Sequence, residues 1–175
     1  DRPVEGPAAC LAGSCSRATL TQIARAEETM PVLRLDPERL MSGVAETHRA
    51  LAWAAACLAD GPVLIASSGS PEVVSALQAR HGRDAAGQAI EQSLATIAEG
   101  LVELGVRRLV VAGGETSGAV VDQLAIPAFE LGPEIAAGVP ALRALGSPHG
   151  ELLLALKSGN FGGDRFFADA LAVLA

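Results

Sequence analysis

Aromatic side chains are scarce in this chain: four phenylalanines, one tryptophan and no tyrosine, or 3% of 175 residues. Half of the residues are hydrophobic nonetheless, so the core must be packed from Ala, Leu and Val. Ala-rich helices over Val- and Leu-rich strands suit a layered α/β fold. Cysteine is sparse too. Cys10, Cys15 and Cys57 form no CxxC pair, which argues against a disulfide scaffold or a zinc site and for free thiols in a reducing cytoplasm. Basic residues number 13 against 20 acidic ones, a net charge of −7. A nucleic-acid partner is therefore not expected, because a phosphate backbone demands a basic face. A single nucleotide, held by one local positive end, remains compatible. No apolar run is long enough to span a bilayer and the first residues lack a signal-peptide pattern, so no membrane partner and a cytoplasmic location are expected. Also missing are a GxxxxGK[ST] loop, a GxGxxG fingerprint and a GxSxG elbow.

What is present is an alternation of apolar runs and helical stripes. Asp1–Pro7 reads as a linker, and residues 8–175 as one domain. Strands are expected at 8–13, 31–35, 62–67, 108–112, 126–130, 138–145 and 152–157. Helices are expected at 17–29, at 36–59 with a break at Ser42-Gly43, at 71–79, 84–104, 116–123 and 164–174. Asp36-Pro37 is a helix-start signal. The apolar stripe over 84–104 has helical period, and Gly105 ends it. The pattern predicts an α/β protein, a three-layer α/β/α sandwich with a mostly parallel, partly mixed sheet.

Four expected strands end in small, hydroxyl-bearing turns. The most informative is Leu109-Val110-Val111-Ala112-Gly113-Gly114-Glu115-Thr116-Ser117. Glycine lets the backbone approach an anion closely, and the helix that follows aims N–H groups and a partial positive charge at it. Thr116 and Ser117 add hydroxyl donors. Glu115 is suited to capping the helix, to accepting a ribose hydroxyl or to holding Mg2+ through water. In Lys157-Ser158-Gly159-Asn160-Phe161-Gly162-Gly163-Asp164, Lys157 is placed to meet a phosphate as a point charge. Gly13-Ser14-Cys15-Ser16 and Ser67-Ser68-Gly69-Ser70 are turns of the same kind. Each alone reads equally well as ordinary capping and tight packing. Together, at strand carboxyl ends, they line the crevice where open α/β sheets bind ligands. His48 and His81 read as surface residues, Trp53 as core or as a contact with a missing neighbour, and His149 as a minor candidate.

Gly13-Ser14-Cys15-Ser16 with Thr19, Gln22 and Ile23, then Ala112-Gly113-Gly114-Glu115-Thr116-Ser117-Gly118, then Leu156-Lys157-Ser158-Gly159-Asn160-Phe161-Gly162 with Phe166 and Phe167 carry a resemblance. In these motifs the chain resembles the C-terminal, nucleotide-binding domain of the four-carbon acid sugar kinases, of the 3-oxo-tetronate and threonate kinase types. The similarity runs from about Ala8 to Leu174. It implies ATP, with Mg2+, as cofactor, and phosphorylation of a sugar-acid hydroxyl. In that family a separate N-terminal domain binds the sugar acid; that domain is absent from this sequence, so the isolated domain is expected to be inactive. By the resemblance Ser16, Gly113 to Thr116 and Gly159 contact the nucleotide; with the turn residues Ser14, Ser117 and Lys157 they make up the expected site. No residue is assignable as the catalytic base. An Ala/Leu-rich surface left by the missing domain leaves room for a homodimer.

Two other readings stay open: a non-catalytic module, diverged from such a kinase, that binds a nucleotide or a partner protein, and an unrelated hydrolase-type α/β enzyme. The kinase reading requires the Ser16, Gly113 and Gly159 neighbourhoods to meet at one edge of the sheet.

Overall fold

The computed structural model describes residues 2–175. Its strands are β1 (Ala8–Ala12), β2 (Val32–Arg34), β3 (Val63–Ala66), β4 (Arg108–Ala112), β5 (Ala128–Ala136), β6 (Val139–Leu145) and β7 (Leu153–Lys157). The helices are α1 (Arg17–Ala26), α2 (Pro37–Met41), α3 (Ala45–Cys57), α4 (Pro71–His81), α5 (Arg83–Glu103), α6 (Gly114–Gln123) and α7 (Phe166–Leu174). One seven-stranded sheet has the order β2-β3-β1-β4-β7-β6-β5. The first five strands in that order run parallel, and the β5–β6 hairpin adds the antiparallel edge.

The sheet is covered on both faces, which is why its central strands are continuously apolar. Along each strand alternate residues go to opposite cores. Ala9, Leu11, Val63, Ile65, Leu109 and Val111 pack under α3, α5 and α6. Cys10, Ala12, Leu64, Ala66, Val110 and Ala155 pack under α1 and α7, with Phe166 and Phe167 filling most of that layer. The small side chains of β1 at the centre let the helices sit close to the sheet. Burial pushes the Cys10 thiol above its usual range and leaves it inert. Trp53 is half-buried against the first core.

Several boundaries differ from expectation. The break expected at Ser42-Gly43 within 36–59 is present: α2 ends at Met41 and α3 starts at Ala45. Its tail tightens into a 3-10 turn at Leu58–Asp60. Helix α6 starts two residues early, with Gly113 as N-cap. Strand β5 runs on to Ala136 instead of stopping at Glu130, because Gly132 and Pro133 fall where the pairing shifts register between Leu131 and Glu134. Proline is tolerated at such a place on an edge strand. The described part of the expected linker is tied to the domain: Val4 is buried, and the Pro7 carbonyl accepts from the Arg107 N–H at 3.0 Å. Among the described residues no helix is long and apolar enough to cross a membrane.

Candidate functional site

The order β3-β1-β4-β7 puts four strand carboxyl ends side by side. The turns that follow them border one cleft of about 500 Å3. Seven of the nine expected site residues line it: Ser14, Ser16, Gly113, Gly114, Glu115, Thr116 and Gly159. The distances between the turns are short enough to forbid side chains. A Cβ on Gly13 would lie 2.0 Å from Thr116 Oγ1, and one on Gly159 would lie 2.2 Å from Ser14 Oγ. Gly113 has φ +125°, a conformation open to glycine and strained for other residues.

The turns are also stitched by hydrogen bonds. The Gly159 carbonyl accepts from Ser16 Oγ at 2.6 Å, from Thr19 Oγ1 at 3.1 Å and from Lys157 Nζ at 2.9 Å. Ser14 Oγ accepts from the Ser16 N–H at 3.1 Å, and Ser16 Oγ caps α1 by accepting from the Thr19 N–H at 3.2 Å. Gln22 Nε2 donates to the carbonyls of Phe161, Gly162 and Gly163 at 3.0–3.2 Å, fastening the rest of that loop.

Not every amide in these turns is available to a ligand. The Gly113 N–H donates to the Lys157 carbonyl at 2.8 Å, and the Ser14 N–H to the Ala112 carbonyl at 3.3 Å. Helix α6 has no side-chain cap, and its first helical bond runs from the Ser117 N–H to the Gly113 carbonyl. The N–H groups of Gly114, Glu115 and Thr116 therefore lack intrahelical acceptors and open toward the cleft with the positive end of the helix dipole.

Two expected site residues sit elsewhere. The role expected for Lys157 as a point charge on a phosphate does not fit its position. It is 2% exposed, and its ammonium donates to Thr19 Oγ1 at 3.0 Å and to the Ser158 and Gly159 carbonyls, 5.6 Å from the Phe166 ring centroid. Burial pushes its pKa down to about 8. A strand-end lysine is ordinarily exposed; this one braces the Gly159 loop from behind. Ser117 is buried in α6 and does not border the cleft.

Other residues complete the site. Ser68, 7% exposed, lines the cleft with its Oγ unpartnered. Its Ser-rich turn was legible, but the burial of this hydroxyl depends on the packing. Glu91 on α5 shares a side-chain hydrogen bond with Glu115; that bond, burial and the like charge hold its carboxyl above the usual range. No spacing in the sequence links the two. Cys15 is exposed and borders the cleft, whereas His149 does not. His48 and His81 lie on the surface, with His81 2.7 Å from Glu38.

Comparison with known proteins gives the chain's family. A family model described as a nucleotide-binding C-terminal domain matches residues 9–167. The chain is 68% identical over 173 residues to a 3-oxo-tetronate kinase of Methylobacterium radiotolerans, covering 99% of this chain and 41% of that protein. It is 52% identical over 172 residues to a 3-oxo-tetronate kinase of Cupriavidus necator, covering 98% of this chain and 39% of that protein. The chain thus spans about two fifths of the length of these relatives. A crystal structure of a Haemophilus influenzae protein superposes with a TM-score of 0.91 at 35% identity, over 99% of this chain and 42% of that one.

Proposed function

This chain belongs to the family of nucleotide-binding C-terminal domains, and on that premise we propose that it is the ATP-binding part of a kinase acting on a four-carbon sugar acid. The observation that carries the reading is the meeting of the Ser16, Gly113 and Gly159 turns around the uncapped start of α6. Phosphoryl transfer asks a protein mainly for positioning and for stabilisation of charge on the phosphoryl oxygens. The free N–H groups of Gly114, Glu115 and Thr116 are suited to both, being fixed donors that need no reorganisation. The Ser14 and Ser16 hydroxyls and the Gly159 loop set the floor on which the phosphates lie.

Mg2+ fits the donor set. Among the described residues no three His, Cys, Asp or Glu side chains form a metal cage. Mg2+ needs no such cage, since one or two carboxylates complete a shell made mostly of phosphate oxygens and water. Glu115, in the first turn of α6, is the carboxylate to hold it through water. The bound ion would neutralise charge on the phosphate oxygens. The sugar acid, its stereochemistry and the base that activates its hydroxyl belong to the longer protein, where an N-terminal domain would close over the cleft and exclude water. Three free thiols suit the cytoplasm.

The test is ligand-linked stability. ATP or ADP with Mg2+ raises the melting temperature of this chain, because a ligand stabilises the state it binds. Gly114→Val, whose Cβ meets nothing nearer than Ser158 Oγ at 3.4 Å, keeps the fold and loses the shift. An unchanged shift in that variant moves the phosphates elsewhere. Phosphorylation of a four-carbon acid by the full-length protein separates a kinase from a nucleotide-binding module that has lost catalysis.

A further inference from the structure

No basic residue lines the cleft; its charged side chains are Glu91 and Glu115, both acidic. A cation stands behind its floor instead. Lys157 is buried, and no carboxylate pairs with it among the described residues. Thr19 Oγ1 and the Ser158 and Gly159 carbonyls satisfy its hydrogen bonds, but they leave its charge without a counter-charge, a costly state for a buried ion.

The surroundings supply none. Against Lys157, α1 presents Thr19 and α7 presents Phe166, while the charged residues of these helices and their flanks, Arg17, Arg25, Asp164, Arg165 and Asp169, are exposed. β4 pairs Ala112 with Lys157 and carries Arg108 at its other end. The Cys10 thiol in the same layer is kept neutral by burial.

One peptide separates this ammonium from the cleft. The Gly159 carbonyl accepts from Lys157 Nζ at 2.9 Å, from Ser16 Oγ and from Thr19 Oγ1. In a trans peptide the N–H points opposite to the C=O, so the Asn160 N–H is turned away from the lysine. It has no acceptor among the described residues, and Gly159 and Asn160 both line the cleft.

We propose that Lys157 is a positioning residue of the phosphate site: without touching the ligand, its ammonium fixes the Gly159–Asn160 peptide with the N–H away from itself, and a polyphosphate in the cleft becomes its counter-ion through that peptide. The inference rests on the nucleotide reading above and adds where an acidic cleft finds positive charge. A charge behind a thin dry wall is screened far less than one across water.

The consequence is that binding is linked to a proton, and calorimetry of ATP with Mg2+ tests it. The parent chain for the test carries Cys15→Ser, so that no thiol lies in the cleft. Free of ligand, Lys157 has a pKa lowered by burial to about 8, and a bound polyanion raises it. Between the two values binding takes up a proton. At pH 8.5, titrations in buffers of different ionisation enthalpy give an uptake of roughly half a proton per ATP. Affinity is highest near pH 7 and falls as pH rises through the bound value, about tenfold in all for each unit by which ATP raises the pKa.

Lys157→Met binds ATP more weakly at pH 7, takes up no proton at pH 8.5 and shows no decline between pH 7 and 9.5. Weaker binding in Lys157→Met with no uptake in the parent overturns the proposal, because the lysine then acts by shape alone. Uptake that persists in Lys157→Met overturns it too, since other groups carry the proton. If Lys157→Met does not fold, the parent decides: uptake at pH 8.5 supports the proposal and its absence overturns it. A parent chain that binds no ATP at any of these pH values overturns the nucleotide reading itself.

Discussion

Ser16 Oγ donates to the carbonyl oxygen of Gly159 at 2.6 Å, joining the start of α1 to the loop after β7 across 143 positions of sequence. The same carbonyl accepts from Thr19 and Lys157. Three donors on one acceptor fix the loop where it borders the cleft, and they require a residue without a side chain at 159. Gly159→Ala puts a methyl group 2.2 Å from Ser14 Oγ and 2.9 Å from Ser16 Oγ. Overpacking of this kind costs about 1–3 kcal/mol, a fall of several degrees in Tm for a domain of this size. Nucleotide affinity drops by more than the stability loss alone explains, because the loop itself moves. Wild-type affinity in a folded Gly159→Ala chain would show that the loop does not shape the site.

Lys157 makes a prediction about pH. Its pKa is lowered by burial from 10.5 to about 8. Between those values the unfolded chain binds a proton that the folded chain does not, so this group makes stability rise with pH across that window. Lys157→Met removes the rise. At neutral pH the variant also loses the donors to Thr19 and the Ser158 carbonyl, a cost of about 1–3 kcal/mol set against relief from burying a cation. Urea melts of both chains at pH 7.5, 8.5 and 9.5 decide the matter; parallel stability curves would refute the assignment.

The legible parts of the fold are those where local pattern and tertiary environment agree. β1 and β3 are apolar throughout, and β4 and β7 apart from one terminal residue each, because helices cover both faces of the sheet; their turns are conspicuous because close approach excludes side chains at Gly13, Gly113 and Gly159. The carboxyl-end position of those turns follows from parallel topology, so most of the site could be read in advance. Lys157 and Ser117 could not, since burial at a strand end or within a helix is decided by partners far away in sequence. Nor could Glu91, because the stripe of α5 reads as core packing and its cleft-facing side is defined only once α4 and α6 are in place. The extension of β5 was hidden by Gly132 and Pro133, which signal a turn unless the strand is an irregular edge.

Glu46 anchors the entrance of α2 beside the cleft. Its carboxylate is fully buried and takes the Asp36 N–H at 2.5 Å together with Arg49 Nε at 2.5 Å and a second Arg49 nitrogen at 2.9 Å. Arg49 holds its pKa below 4.5, so its contribution is present above that value and lost as pH falls through the lowered one. Glu46→Ala leaves the Asp36 N–H unpaired and costs about 1–3 kcal/mol at pH 7. Arg49 is partly exposed, so the loss stays short of that for a fully buried ion pair. The difference between variant and parent narrows toward pH 3. A difference that stays constant with pH would mean that the carboxylate charge has no part in it.

Glu91 works in the opposite sense. Its hydrogen bond to Glu115, with burial and the neighbouring like charge, raises its pKa above 4.5. The folded chain then holds a proton that the unfolded chain releases. The stability this provides is complete below pH 4.5 and is lost as pH rises through the raised value, where two carboxylates face each other. Glu91→Gln keeps a hydrogen bond to Glu115 and removes the repulsion. The variant should be more stable than the parent at pH 8, by less than about 1 kcal/mol because the pair is partly solvated, and the advantage should vanish by pH 4. Tripolyphosphate, an anion brought to the same cleft, should also bind the variant more tightly at pH 8 and equally well at pH 4. Equal affinity at both pH values would place the Glu91 charge too far from the phosphates to act on them.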